Sequence, residues 1–203
     1  MNVDLKVYAK KHYPDSKNDF FTMFFERGMA QTKDKGTLGF LAPFVWMFLS
    51  SYKSLREKLL NETSVTSLVQ LEYNAFEPAC IPVAAFTLNR KYLQNYKGSF
   101  VKLSEFKGHL NQPIKLLEAI NKSTCDWLFE VNVDDVKNIP SSPLAYWINP
   151  NLLSLFREKD SIGNKVKAMV GLQTSDNDRF LRYWFEVDYN NVEFSAKDSV
   201  QAD

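Results

Sequence analysis

Glycine is scarce in this chain, seven in 203 residues, and none of the seven forms a G-x-G-x-x-G turn or a phosphate loop. Such turns let backbone N–H groups approach a nucleotide or cofactor at the start of a helix, so a self-sufficient cofactor-binding sheet is not written here. Gly36 and Gly39 precede and enter a strand-like run instead. Histidine is scarcer still: His12 and His109 sit in polar stretches with no partner at metal-ligand spacing and read as surface residues. The two cysteines, Cys80 and Cys125, are far apart and have no activating neighbour. That excludes a disulfide framework or a zinc ribbon, fits a reducing cytosol, and reads both as small buried apolar residues. No G-x-S-x-G elbow is present. Neither sign of charge dominates: 25 Lys plus Arg face 24 Asp plus Glu, a net charge of +1. The overall electrostatic footprint of a nucleic-acid binder is therefore missing, which leaves room only for a local basic face. Long apolar runs are missing too. Leu38 to Leu49 falls short of the roughly 20 residues a bilayer span needs, and Gly39 and Pro43 interrupt it. Met1 to Lys11 is polar and charged, without the apolar centre of a secretory signal.

What the chain has is core-forming material, 45% hydrophobic and 14% aromatic, enough for one domain or one and a half. Ser16 to Thr32 spaces Phe20, Phe21, Met23, Phe24, Phe25 and Met29 as the wide buried face of a helix. Lys33-Asp34-Lys35-Gly36 breaks it, and Thr37 to Phe44 is a continuous apolar run of strand length. Trp46 to Leu60 reads as an amphipathic helix, with Trp46, Leu49, Leu55, Leu59 and Leu60 inward and Lys53, Arg56, Glu57 and Lys58 outward. Val65 to Glu72 and Ile81 to Leu88 follow as strands too close in sequence for a helical crossover, hence an antiparallel pair at the end of the sheet. Short elements come next: a strand at Ser99 to Ser104, a helix at Gln112 to Asn121 and a strand at Trp127 to Val133. Ile139-Pro140-Ser141-Ser142-Pro143 is the clearest linker-like break, Asn149-Pro150 opens a helix through Arg157, and irregular strands are expected beyond. Asp134-Asp135 reads as the start of a solvated turn rather than a catalytic carboxylate pair.

Three stretches carry a resemblance. They are Tyr8 to Arg27, containing Tyr13-Pro14-Asp15-Ser16-Lys17 and Phe25-Glu26-Arg27; Trp46-Met47-Phe48-Leu49-Ser50-Ser51-Tyr52 with Leu55-Arg56; and Gly171 to Arg182. In that order the chain resembles the adenine-specific DNA methyltransferases of bacteriophage exclusion (BREX) systems, close to the combined restriction-modification methylases. The resemblance runs from about residue 2 to residue 194. It implies an α/β fold, the C-terminal half of a Rossmann-like methyltransferase sheet at 1–92, a connecting α+β region at 93–140, and the start of a target recognition domain at 141–203. It implies S-adenosylmethionine as methyl donor for the full-length family and duplex DNA as its partner. In that family the cofactor motif and the catalytic Asn-Pro-Pro-Tyr lie upstream of the Tyr-Pro-Asp-Ser segment. Asn149-Pro150 is followed by Asn151 and lies in the wrong region to replace the tetrapeptide. The expectation is thus a cytoplasmic fragment of a site-specific adenine methyltransferase that binds no cofactor and holds no catalytic residue of its own.

The chemistry sets what such a fragment can contribute. The target adenine leaves the helix, and its ring is held between pocket walls. In related methyltransferases the loop between the last two strands supplies an apolar or aromatic contact to that base, here Glu72 to Pro82, with Phe76 the candidate and Tyr73 and Asn74 beside it. In the Gly171 to Arg182 tract, Thr174, Ser175 and Asn177 suit a backbone-exposing turn, and Arg179 and Arg182 can contact phosphate or guanine. Asp176 and Asp178 offset the two arginines. Two other readings stay open: a separately encoded, non-catalytic DNA-binding or specificity module pairing with a methylase partner, and a truncated product without activity. Partners would be the missing N-terminal half or other defence-system proteins, and an unpaired sheet edge makes self-association an expectation.

Overall fold

The structure, a computed structural model, describes residues 2–76, 80–122, 124–158, 164, 166 and 176–192. The elements are α1 (Val3–His12), α2 (Phe20–Gln31), β1 (Thr37–Pro43), α3 (Lys53–Glu62), β2 (Ser64–Gln70), β3 (Val83–Asn89), β4 (Lys97–Lys102), α4 (Asn111–Asn121), β5 (Leu128–Asn132), α5 (Pro150–Glu158) and α6 (Asn177–Phe180). Short 3-10 turns occupy Phe44–Met47 and Ser50–Tyr52. The chain divides into two compact units, Met1–Lys159 and Asp160–Asp203.

The first unit is a mixed sheet in the order β1-β3-β2-β4-β5. The β2 and β3 strands pair antiparallel, as their close spacing predicts, but β3 does not close the sheet. It inserts between β2 and β1, pairing antiparallel with both, so β1 and β2 run in the same direction on either side of it. Past β2 the sheet continues through β4, which pairs parallel, and β5, which pairs antiparallel with β4. The strands of the region expected to connect two domains therefore hydrogen-bond into the same sheet.

One face of the sheet carries the main core. Phe25 of α2 is nearly inaccessible and meets Phe40, Phe86 and Trp46 at ring-centroid distances of 4.7, 5.2 and 5.7 Å. The buried face of α2 is narrower than its apolar content suggests, because Phe20 and Phe24 point outward while Met23, Phe25 and Met29 point in. The other face holds Val101, Leu103 and Ala119, with Phe106 and Trp127 packed against them.

Four local expectations need correction. The helix expected over Trp46 to Leu60 begins only at Lys53, because the chain first makes two 3-10 turns after Pro43. Arg56, expected on the solvent side, is fully buried. Its Nη1 donates to the carbonyls of Trp46 and Leu49 at 2.6 Å, its Nη2 to Ser141 at 2.7 Å and its Nε to Ser142 at 3.1 Å. The Ile139–Pro143 segment is accordingly fastened to the core rather than free, and Leu144, Ala145 and Tyr146 continue buried within it. The third correction concerns the cysteines: Cys80 is exposed and Cys125 only half-buried, since each lies in a connection rather than in a strand or helix. Past α5 the described residues contain α6 and a 3-10 turn at Tyr189–Asn191 in place of the irregular strands expected, because Asp176 and Asp188 accept from nearby amides and start turns.

Candidate nucleic-acid interface

Pro43, Gln70 and Lys102 end β1, β2 and β4, and the register sets them along one edge: Pro43 opposite Val83, Gln70 opposite Ala84 and Lys102 opposite Gln70. In open α/β sheets this carboxyl edge is where ligands are received. The connection from β2 to β3 leaves from it and returns to it. Its base is closed by Leu71 N–H donating to Val83 O at 3.1 Å, and its return is pinned to the end of β1 by Phe44 N–H donating to Pro82 O at 2.9 Å. Between these points Tyr73 and Phe76 are 60% and 47% exposed, and Asn74 is exposed beside them. Aromatic rings left this wet cost hydrophobic free energy unless something covers them. The three sequence-predicted base-side residues thus share one loop at the carboxyl edge; residues 77–79 of that loop lie outside the described set.

Two buried polar contacts fix the loop's root, and neither has a local sequence signal. The Gln70 side-chain Oε1 accepts from the Tyr146 hydroxyl at 2.7 Å, and the Gln70 carbonyl accepts from Leu103 N–H at 2.8 Å. Glu72, 8% exposed, accepts from Gly108 N–H at 2.7 Å. Gly108 sits at φ +92, a left-handed conformation that favours glycine, and turns the chain from the β4 exit toward α4. Gln112 secures that turn by donating to the carbonyls of Leu103 and Phe106. Burial pushes the Tyr146 hydroxyl well above its ordinary pKa, so it stays a donor throughout the neutral range. Next to it the exposed Trp147 lies 5.5 Å from the Phe48 ring, with the Lys102 ammonium 5.4 Å from its centroid. Glu105 pairs with that ammonium at 3.0 Å.

The second predicted set belongs to the other compact unit. Gly171, Thr174 and Ser175 lie outside the described residues. Asn177, Arg179 and Arg182 are exposed; Asp176 caps α6 by accepting from Arg179 N–H at 3.1 Å, and Arg182 Nη1 donates to the carbonyls of Asp178 and Leu181 at 2.8 Å. Beside them the rings of Tyr183 and Phe185 stack at 5.3 Å, and Trp184 is 88% exposed.

The chain is 33% identical over 202 residues to the adenine-specific methyltransferase BrxX of Escherichia coli O9:H4 and 29% identical over 194 residues to the adenine-specific methyltransferase PglX of Lacticaseibacillus casei. These matches take in 97% and 94% of the chain. The chain is a relative of adenine-specific methyltransferases. It spans 16% of the length of each of these two relatives. A family model described as Eco57I restriction-modification methylase matches residues 1–76, and the Escherichia coli type II restriction enzyme and methyltransferase RM.Eco57I is 22% identical over 88% of the chain. Among solved structures, the methyltransferase subunit of a type I restriction-modification system from Streptococcus thermophilus superposes with a TM-score of 0.51 at 20% identity, covering 63% of this chain and 30% of that one. A second type I restriction-modification structure gives 0.52 at 16% identity over 73% of this chain and 35% of its own. At these identities the superpositions speak for the fold, a methyltransferase-type α/β sheet.

The methyl donor that this fold implies is S-adenosylmethionine, and the described residues hold no glycine-turn cradle for it. Among the described residues no glycine turn leads from a strand end into a helix with its amides open, and the amide of Gly108 is already taken by Glu72. Nor does any group of three or more His, Cys, Asp or Glu among the described residues form a metal site. No helix among them is long and apolar enough to cross a membrane.

Proposed function

We propose that the chain is the C-terminal part of the catalytic sheet of a site-specific DNA adenine methyltransferase, and that it supplies the base-side wall of the pocket into which the target adenine is extruded. The observation that carries this reading is the β2–β3 loop. It presents Tyr73, Asn74 and Phe76 to solvent at the carboxyl edge, on a root held by two buried polar contacts. A fixed root with exposed rings suits stacking on a base that has left its helix. Phe76 takes the stacking role, with Tyr73 and Asn74 flanking it. The donor S-adenosylmethionine and the catalytic Asn-Pro-Pro-Tyr belong to upstream sequence, so the chain alone transfers no methyl group and acts in the cytoplasm as part of a larger phage-defence or restriction-modification enzyme. The sheet of the first unit, Met1–Lys159, belongs to the catalytic domain, and the second unit, Asp160–Asp203, opens the target recognition domain, where Asn177, Arg179 and Arg182, with Thr174 and Ser175, contact duplex DNA.

The test uses the full-length methyltransferase containing this segment. With radiolabelled S-adenosylmethionine and duplex DNA carrying its site, Phe76→Ala lowers methyl transfer on the order of tenfold or more, the loss expected for one stacked base. It also removes the fluorescence rise of 2-aminopurine placed at the target. An unchanged rate and signal refute the role of Phe76. Calorimetry of the isolated chain with S-adenosylmethionine gives no binding heat; saturable micromolar binding refutes the placement of the cofactor site. A chain that alone binds duplex DNA with steep salt dependence, or captures a separate methylase polypeptide, speaks instead for a specificity module.

A further inference from the structure

Tyr146 reaches the root of the loop from far along the chain. It lies 76 residues from Gln70 in sequence, is 2% exposed, and is surrounded by rings: Phe100 stacked at 5.0 Å, Phe129 edge-on at 5.7 Å and Trp147 edge-on at 5.0 Å. Packing on three sides fixes the ring, so the hydroxyl has one direction in which to point. It points at Gln70, the last residue of β2, two residues before Glu72 and the exposed loop. A phenol and an amide buried together cost desolvation that an apolar pair of the same shape avoids. Such a pair at the end of a strand contributes geometry more than stability. The strand end it fixes carries the base-side loop, and the segment it comes from, Leu144 to Trp147, packs on the far strands of the same sheet through Phe100 and Phe129.

We propose that Tyr146 is a positioning residue for base capture: by donating to Gln70 it fixes the root of the β2–β3 loop, so that Phe76 meets an extruded adenine without first being ordered. The inference rests on the assignment of that loop to the base-side wall. Positioned groups convert binding into rate only while their supports hold, and a shift of an ångström at the root is felt at the ring.

The test is a double-mutant cycle in the full-length methyltransferase with Tyr146→Phe, Gln70→Leu and both together. Each enzyme is assayed on duplex with the target adenine paired and on the same duplex with an abasic site opposite it. An unpaired adenine is cheaper to extrude and depends less on a preformed wall. Tyr146→Phe lowers methylation of the paired target roughly tenfold, leaving the abasic-opposed target much less affected, and lowers thermal stability because Gln70 is left unpaired. In the double variant both polar groups are gone, so stability returns, while the rate on paired adenine stays low. Equal losses on both substrates, or a rate that recovers together with stability in the double variant, overturn the proposal. Phe76→Ala separates the two ideas. If it impairs the paired target while Tyr146→Phe does not, the inference fails and the loop assignment stands; if Phe76→Ala changes neither substrate, the loop assignment fails and takes the inference with it.

Discussion

Arg56 puts a full positive charge where water does not reach and satisfies it with four backbone carbonyls from three places in the chain. Burial pushes its pKa down, yet a guanidinium keeps its proton, so the carbonyls must stay converged on it. Arg56→Met should therefore lower the unfolding free energy by on the order of 3 kcal/mol, since it orphans buried acceptors as well as removing bonds. Arg56→Lys should recover only part of that, because one ammonium cannot span the same fork. Urea titrations of the chain measure both; a midpoint unchanged by Arg56→Met refutes the role. This residue also shows where sequence reading stops. Helical patterning assigns Arg56 to solvent, and what buries it is a turn about 85 residues away, Ser141 and Ser142 at φ 68 and 47, which brings their carbonyls within its reach. Nothing local encodes that. Asp134 gives a pH prediction at the same scale. Its burial pushes the carboxyl pKa upward, but hydrogen bonds from Lys137 and Tyr92 and the charge of Lys137 outweigh this and leave it below the ordinary 3.8. A depressed carboxyl contributes stability that is present above 3.8 and lost as pH falls through its lower folded value. Asp134→Asn should flatten the acid limb of a stability-against-pH curve, and because the same carboxylate holds the Tyr92 hydroxyl above its ordinary pKa, it should change the limb above pH 10 as well.

Among the elements, the pairing of β2 with β4 depends on one glycine. The register of β2 against β3 shifts between Val65 and Ser67, and a Cβ on Gly98 would run into the Val65 carbonyl oxygen and crowd the Phe100 ring. The strands cannot move apart without losing the parallel ladder, so Gly98→Ala should cost about 1–3 kcal/mol, the range for overpacking. A thermal midpoint equal to the parent's would show the strands yielding freely. Periodicity makes the strands and α2 legible, because their apolar patterns are long and bounded by turn residues. It misses α1, which buries only Ala9 and announces itself through caps instead: Asn2 accepting from Leu5 N–H, Asp4 in the first turn and Lys10, Lys11 and His12 in the last. The exposed rings of the β2–β3 loop follow from composition and place; the Gln70–Tyr146 and Glu72–Gly108 contacts beneath them do not, since each joins distant segments.

At the scale of the first unit, two helices leave apolar stripes open to solvent. The α4 helix turns Ala119 to the sheet, yet Leu110, just before it, and Ile114, Leu117 and Ile120 on it are 54–73% exposed, and on α5 Leu152, Leu155 and Phe156 repeat the pattern. Spaced three and four apart, these residues form continuous stripes rather than scattered exposures, the kind of surface that seeks a cover. The isolated chain should therefore self-associate in the micromolar range, seen in sedimentation velocity as a weight-average coefficient that rises with concentration. Because the driving surface is solvent-exposed in the monomer, Ile114→Lys with Leu117→Glu should shift the chain toward monomer while leaving its thermal midpoint within about 2 °C, the effect of a surface change on a domain this size. A midpoint that collapses would mean the stripe is core in the folded monomer, and association unchanged by the substitutions would move the contact to another surface.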